Sequence, residues 1–102
     1  MMARNPSHPI SMKLERQVTI LNEKGFHVRP ATKFAQVASR FRSRIEVVKD
    51  GESVNGKSSI DLLTLAAEPG AILLIRADGE DAQTAVDELS GLVQDRFGFR
   101  DD

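Results

Sequence analysis

His27 and Arg29 stand two residues apart in Gly25-Phe26-His27-Val28-Arg29-Pro30-Ala31, immediately ahead of an amphipathic stripe of helical spacing. An imidazole nitrogen can attack phosphorus and hold the phosphoryl group covalently, splitting one difficult transfer into two easier ones. A guanidinium beside it can donate paired hydrogen bonds to the phosphoryl oxygens. A helix start adds N–H groups without helical acceptors and a partial positive charge, which together favour a phosphate. Pro30 suits the first helical turn, because its φ is already helical and the N–H it lacks would have had no helical partner. The chemistry these residues can do is therefore phosphoryl transfer through His27, with Arg29 steadying the oxygens.

Other chemistries find less support. The second histidine, His8, lies in a polar, proline-containing stretch without periodicity and reads as a solvent-exposed tail residue. Gly51 to Ser58 meets the bare spacing of a phosphate-binding loop, ending in Gly56-Lys57-Ser58. That motif also needs a preceding strand and a long following helix, whereas here it overlaps a hairpin and precedes only a short helical stretch. There is no cysteine, and two well-separated histidines do not make a metal site, so neither a metal nor a cofactor is expected. The 14 basic against 15 acidic side chains leave a net charge of −1, which speaks against nucleic-acid binding. An RNA-binding sheet would also want exposed aromatic residues, and the chain has no Trp or Tyr. No apolar run approaches membrane-spanning length and no secretory signal is visible, so a cytoplasmic protein without membrane insertion is expected.

The 102 residues, 40% of them hydrophobic and 28% charged, suit one compact domain. Residues 1–13 are expected to form a flexible tail. Leu14, Val18 and Ile20 share one face of a strand over 14–20, and the loop Asn22-Glu23-Lys24-Gly25 follows. Ala31, Phe34, Ala35, Ala38 and Phe41 then mark a helix over 30–41. Strands over 44–49 and 52–55 flank Asp50-Gly51, a strong hairpin turn. A short helix over 58–67, with Ser58 near its cap, ends at Pro69-Gly70. The apolar stretch over 71–77 reads as a central strand. Glu80 and Asp81 suit the first turn of a last helix, whose stripe is Ala82, Ala85, Val86, Leu89, Leu92 and Val93. From Gln94 the stripe is lost and fraying is expected. The folded domain is thus expected over 14–95, with a C-terminal tail at 96–102. The order βαββαβα predicts an α+β open-faced sandwich, a four-stranded antiparallel sheet with three helices on one face.

Three segments, GFHVRPATKFA, VNGKSSIDLLTLAA and GAILLIRADGEDAQTAVDEL, together resemble the histidine-containing phosphocarrier family HPr of the phosphoenolpyruvate-dependent phosphotransferase system. The resemblance covers residues 14–93, in the family's order and spacing, and begins close to Met12, so residues 1–11 are additional to it. It implies the same open-faced fold in a monomer and a phosphocarrier rather than a free-standing enzyme. It implies that His27 accepts phosphate from phospho-enzyme I, on Nδ1, and passes it to an enzyme IIA. Arg29 matches the arginine beside the phosphorylated histidine. Ser58 matches the serine that HPr kinase/phosphorylase modifies in many bacteria; the position after it belongs to the family's partner-docking patch, and Ile60 and Leu63 can still supply an exposed apolar patch for partners. The chain departs from the pattern at Phe26, usually leucine, and at Ser59, commonly a large apolar residue. A different reading of the same fold is a non-enzymatic regulatory protein controlled by phosphate on Ser58, but such a protein has no need of the His27–Arg29 pair.

Overall fold

The computed structural model describes residues 12–99. His8, most of the predicted N-terminal tail and residues 100–102 lie outside the described residues. Four strands, β1 (Met12–Thr19), β2 (Arg44–Lys49), β3 (Glu52–Asn55) and β4 (Ile72–Gly79), form an antiparallel sheet in the order β1-β4-β2-β3. Helices α1 (Val28–Ala38), α2 (Ser59–Thr64) and α3 (Ala82–Gln94) supply the second layer. The expected α+β sandwich is observed, with β4 inside the sheet as its unbroken apolar run requires. β1 begins two residues earlier than expected and takes Met12 and Lys13 out of the predicted tail.

Register separates the two faces of the sheet. Val18 lies opposite Leu73, and Ala77 opposite both Leu14 and Ile45, and these side chains meet the helices. On the other face Arg76 stands between Glu15 and Glu46, at 2.8 and 3.3 Å, and Asp78 between Lys13 and Arg44. Opposite charges directly across strands satisfy one another while the face stays in water. The hairpin closes through Asp50 and Gly51, both with positive φ (51° and 82°), the geometry of a two-residue type I′ turn.

α3 buries Ala82, Ala85, Val86, Leu89 and Val93, with Leu92 half-buried at the margin of the predicted stripe. Asp81 stands at its N-cap position, just ahead of the first turn, and its side chain makes no hydrogen bond to the helix. Its carboxylate accepts from the Ser43 hydroxyl (2.5 Å) and from the backbone N–H groups of Arg42 and Ser43 (both 2.9 Å), clamping the chain ahead of β2.

Of the boundaries that differ from the sequence reading, three have a clear cause in the backbone. α1 stops at Ala38 although Phe41 continues its spacing, because Arg40 and Phe41 donate to Val37 and Ala38, tightening the turn. α2 stops at Thr64 for a related reason. Leu65 and Ala66 donate three residues back, and Ala66 adopts φ 50°, turning the chain so that the Ala67 carbonyl faces the loop before α1. There it accepts the Phe26 N–H at 2.9 Å. The third difference is at the C-terminus, where 96–99 fold back instead of fraying. Arg96, Phe97 and Gly98 all take left-handed φ, and Phe97 is 1% exposed beside Phe26, with ring centroids 5.6 Å apart. Left-handed backbone costs about 1–2 kcal/mol per non-glycine residue, while full burial of such a side chain contributes about 1.5–3 kcal/mol.

Two outcomes follow from these contacts. The Ser43 hydroxyl, ahead of the backbone N–H groups, holds the Asp81 carboxyl below the usual carboxylate range. A depressed carboxyl contributes stability above its unfolded pKa and loses it as pH falls through the folded value. Asp81→Ala is therefore expected to cost about 1 kcal/mol at neutral pH, after discounting for solvent. The gap between variant and wild type should narrow below about pH 4 in urea titrations at several pH values. For glycine, a Cβ at Gly25 (φ 66°) would overlap the Ala67 oxygen, whereas one at Gly51 (φ 82°) meets open space. Gly51→Ala should cost about 1 kcal/mol from backbone strain, and Gly25→Ala about 3 kcal/mol from strain plus overpacking. Equal losses in chemical denaturation would contradict that packing.

Candidate functional site

The loop ahead of α1 is drawn tight by backbone and side-chain bonds. The Gly25 N–H donates to the Asn22 carbonyl at 3.2 Å, and the Gly25 carbonyl accepts from Asn22 Nδ2 (2.6 Å) and from the His27 N–H (3.1 Å). Asn22 is wholly buried. Phe26 turns inward, edge-on to Phe34 of α1 with centroids 5.8 Å apart and against Phe97 on another side. A side chain pointing into the core on one residue sends the next outward, so His27 is left half-buried at the helix start.

His27 occupies the N-cap position of α1 with extended backbone (φ −115°, ψ −168°), and its carbonyl accepts the first helical bond, from Ala31 at 3.0 Å. Helix geometry leaves the N–H groups of Val28 and Arg29 without helical acceptors, and Pro30 has none to offer. No acidic residue stands in the first turn of α1 to offset the positive end of the dipole. His27 and Arg29 thus stand at the N-cap and in the first turn of α1, where these N–H groups lie.

Arg29 is exposed, and its guanidinium carbon lies 4.0 Å from the centre of the Phe99 ring. Sequence reasoning missed Phe99 altogether, although two of the five phenylalanines, Phe97 and Phe99, fall in the polar C-terminal stretch. Paired aromatics in such a stretch are a signal that it packs. It also passed over Asn22, whose Asn-x-x-Gly spacing marks the turn that its side chain closes.

Ser58 is the N-cap of α2, as expected. Its hydroxyl oxygen accepts the Asp61 N–H at 3.1 Å. The neighbouring Lys57 donates through Nζ to the Phe41 carbonyl at 2.7 Å, tying the start of α2 to the turn after α1. The phosphate-loop spacing is accidental, since Gly51 belongs to the hairpin turn and α2 has only six residues. α2 packs on α1, with Ile60 74% exposed and Leu63 half-buried against the core. Ser59 borders a shallow hollow between the two helices, with Thr32, Gln36 and Ser39. Among the described residues no cluster of acidic or histidine side chains could hold a metal ion. No helix among them is long and apolar enough to cross a membrane.

Comparison with known proteins bears on the family and the fold. Residues 14–95 match the family described as PTS HPr component phosphorylation site. The phosphocarrier protein HPr of Haemophilus influenzae is 45% identical over 78 residues, which are 76% of this chain and 92% of that protein. The phosphocarrier protein NPr of Shewanella violacea is 40% identical over 85 residues, 83% of this chain and 93% of its own. The crystal structure of HPr-C-His from Thermoanaerobacter tengcongensis superposes with a TM-score of 0.82 at 37% identity, covering 85% of this chain and 98% of that one. With most of its length matched in sequence and in fold, the chain belongs to the HPr family of phosphocarrier proteins.

Proposed function

We propose that the chain carries a phosphoryl group on His27, taken from phospho-enzyme I and delivered to an enzyme IIA in the cytoplasm. The observation that carries this reading is the position of His27 at the start of α1, beside Arg29 and a dipole end with no acid in its first turn. A ring nitrogen of His27 attacks phosphorus while the bond from phosphorus to the donor breaks, and the donor leaves with that electron pair. The negative charge on the equatorial oxygens meets the Arg29 guanidinium and the N–H groups of the first turn. The second transfer repeats the step with His27 as the leaving group. Both partners are proteins, and an exposed corner flanked by Val28 (64% exposed) and Ile60 suits their approach. Ile60 supplies apolar contact, and Leu63 supports it from the core side.

Incubation with enzyme I and labelled phosphoenolpyruvate is expected to place an acid-labile, base-stable phosphate on the protein, on Nδ1 of His27. His27→Ala should take no label. Label persisting on that variant would end the assignment.

Ser58 is the regulatory position in this reading, a target for HPr kinase/phosphorylase. Phosphate there adds about −1.5 to −2 charges beside the apolar docking surface of Ile60. Aspartate is as good a cap as serine, so Ser58→Asp should leave the melting temperature nearly unchanged, whereas Ser58→Ala loses about 1 kcal/mol with the cap. Ser58→Asp should also slow transfer from enzyme I about tenfold. Unchanged transfer in both Ser58→Asp and the serine-phosphorylated protein would leave Ser58 as a cap alone.

A further inference from the structure

The segment after α3 reaches back to the site by a specific route. The Gly98 and Phe99 N–H groups donate to Asp95 and Arg96 at 2.9 and 3.0 Å, closing a turn through three successive left-handed residues. Phe97 is anchored in the core against Phe26, the residue immediately before His27. Phe99, two residues on, lies half-buried alongside Arg29, Thr32 and Gln36 of α1, with the Arg29 guanidinium carbon over its ring. The backbone strain of this turn is held by Phe97, and its consequence at the surface is where the Phe99 ring sits.

We propose that Phe99 is a positioning residue for phosphoryl transfer, holding the Arg29 guanidinium by its face so that the N–H groups stay directed at the phosphoryl oxygens. A ring attracts a cation through the π face, while the five donors of a guanidinium lie in its own plane. Stacking therefore uses none of the hydrogen bonds a phosphate needs. It also removes in advance part of the rotamer freedom that a long exposed side chain would lose on meeting the phosphate. The inference rests on the phosphocarrier reading of His27.

Initial rates of phosphorylation by enzyme I separate this role from simple packing. Phe99→Leu keeps apolar bulk and loses the π face, and should slow transfer about two- to fivefold with little change in melting temperature. Phe99→Trp keeps the π face and should match the wild-type rate. In an Arg29→Ala background, Phe99→Leu should slow transfer no further. The Arg29 δ protons should be shifted upfield by the ring current in the wild type and return towards ordinary values in Phe99→Leu. A wild-type rate in Phe99→Leu, a slow Phe99→Trp, or an equal loss in the Arg29→Ala background would overturn the proposal and leave the phosphocarrier reading intact. Absence of label on the wild type itself would overturn both.

Discussion

The Ala67 carbonyl, in the turn that follows α2, receives the Phe26 N–H and lies so close to Gly25 that no side chain fits between them. Everything at the site hangs from this junction. It requires α2 to end early, Ala66 to take a left-handed φ, and position 25 to be glycine. Once the two loops touch, Phe26 points into the core and His27 is carried to the start of α1 with its carbonyl already engaged in the helix. Asn22 draws the loop closed from beneath through the Gly25 carbonyl. His27 is thus presented by buried backbone bonds and aromatic packing, while its own side chain is only half-buried.

This division of labour suits a protein that hands a group from one macromolecule to another. α1 buries Ala31, Phe34, Ala35 and Ala38 against the core, so the positive end of its dipole is oriented before any phosphate arrives. The charged side of the sheet takes no part in that packing. Its residues pair across strands, Arg76 with Glu15 and Glu46, and so remain compatible with water on the face away from His27. Large apolar side chains protrude on the helical side instead, Val28 and Ile60 among them.

The strands, the hairpin and the order of elements were legible because local rules govern them: alternation, Asp-Gly at the turn, and a serine cap at Ser58. The placement of His27 and Arg29 at a helix start was legible because Pro30 and the apolar stripe that mark that start lie within a few residues of them. What escaped the sequence depends on non-local contacts. The helical spacing of Phe41 continues past the true end of α1, and only the i to i−3 bonding of Arg40 and Phe41 shows where the helix stops. Asp81 does stand at a helix start, but its carboxylate bonds to partners 38 and 39 residues upstream that no local pattern signals. The return of 96–99 has no periodic pattern and runs through left-handed non-glycine residues, which local propensity disfavours. Burial of Phe97 offsets part of that cost, and it cannot be read without the pocket beside Phe26.

The most direct test of the account is to follow the His27 ring nitrogens by long-range proton–nitrogen NMR as enzyme I and phosphoenolpyruvate are added. The account predicts that the Nδ1 resonance moves to a phosphorylated value, with a matching phosphorus signal. The accompanying amide shifts should centre on Val28 and Arg29, at the start of α1. An unchanged His27 ring, or a phosphorus signal that arises while the amides of the first turn stay where they were, would contradict it.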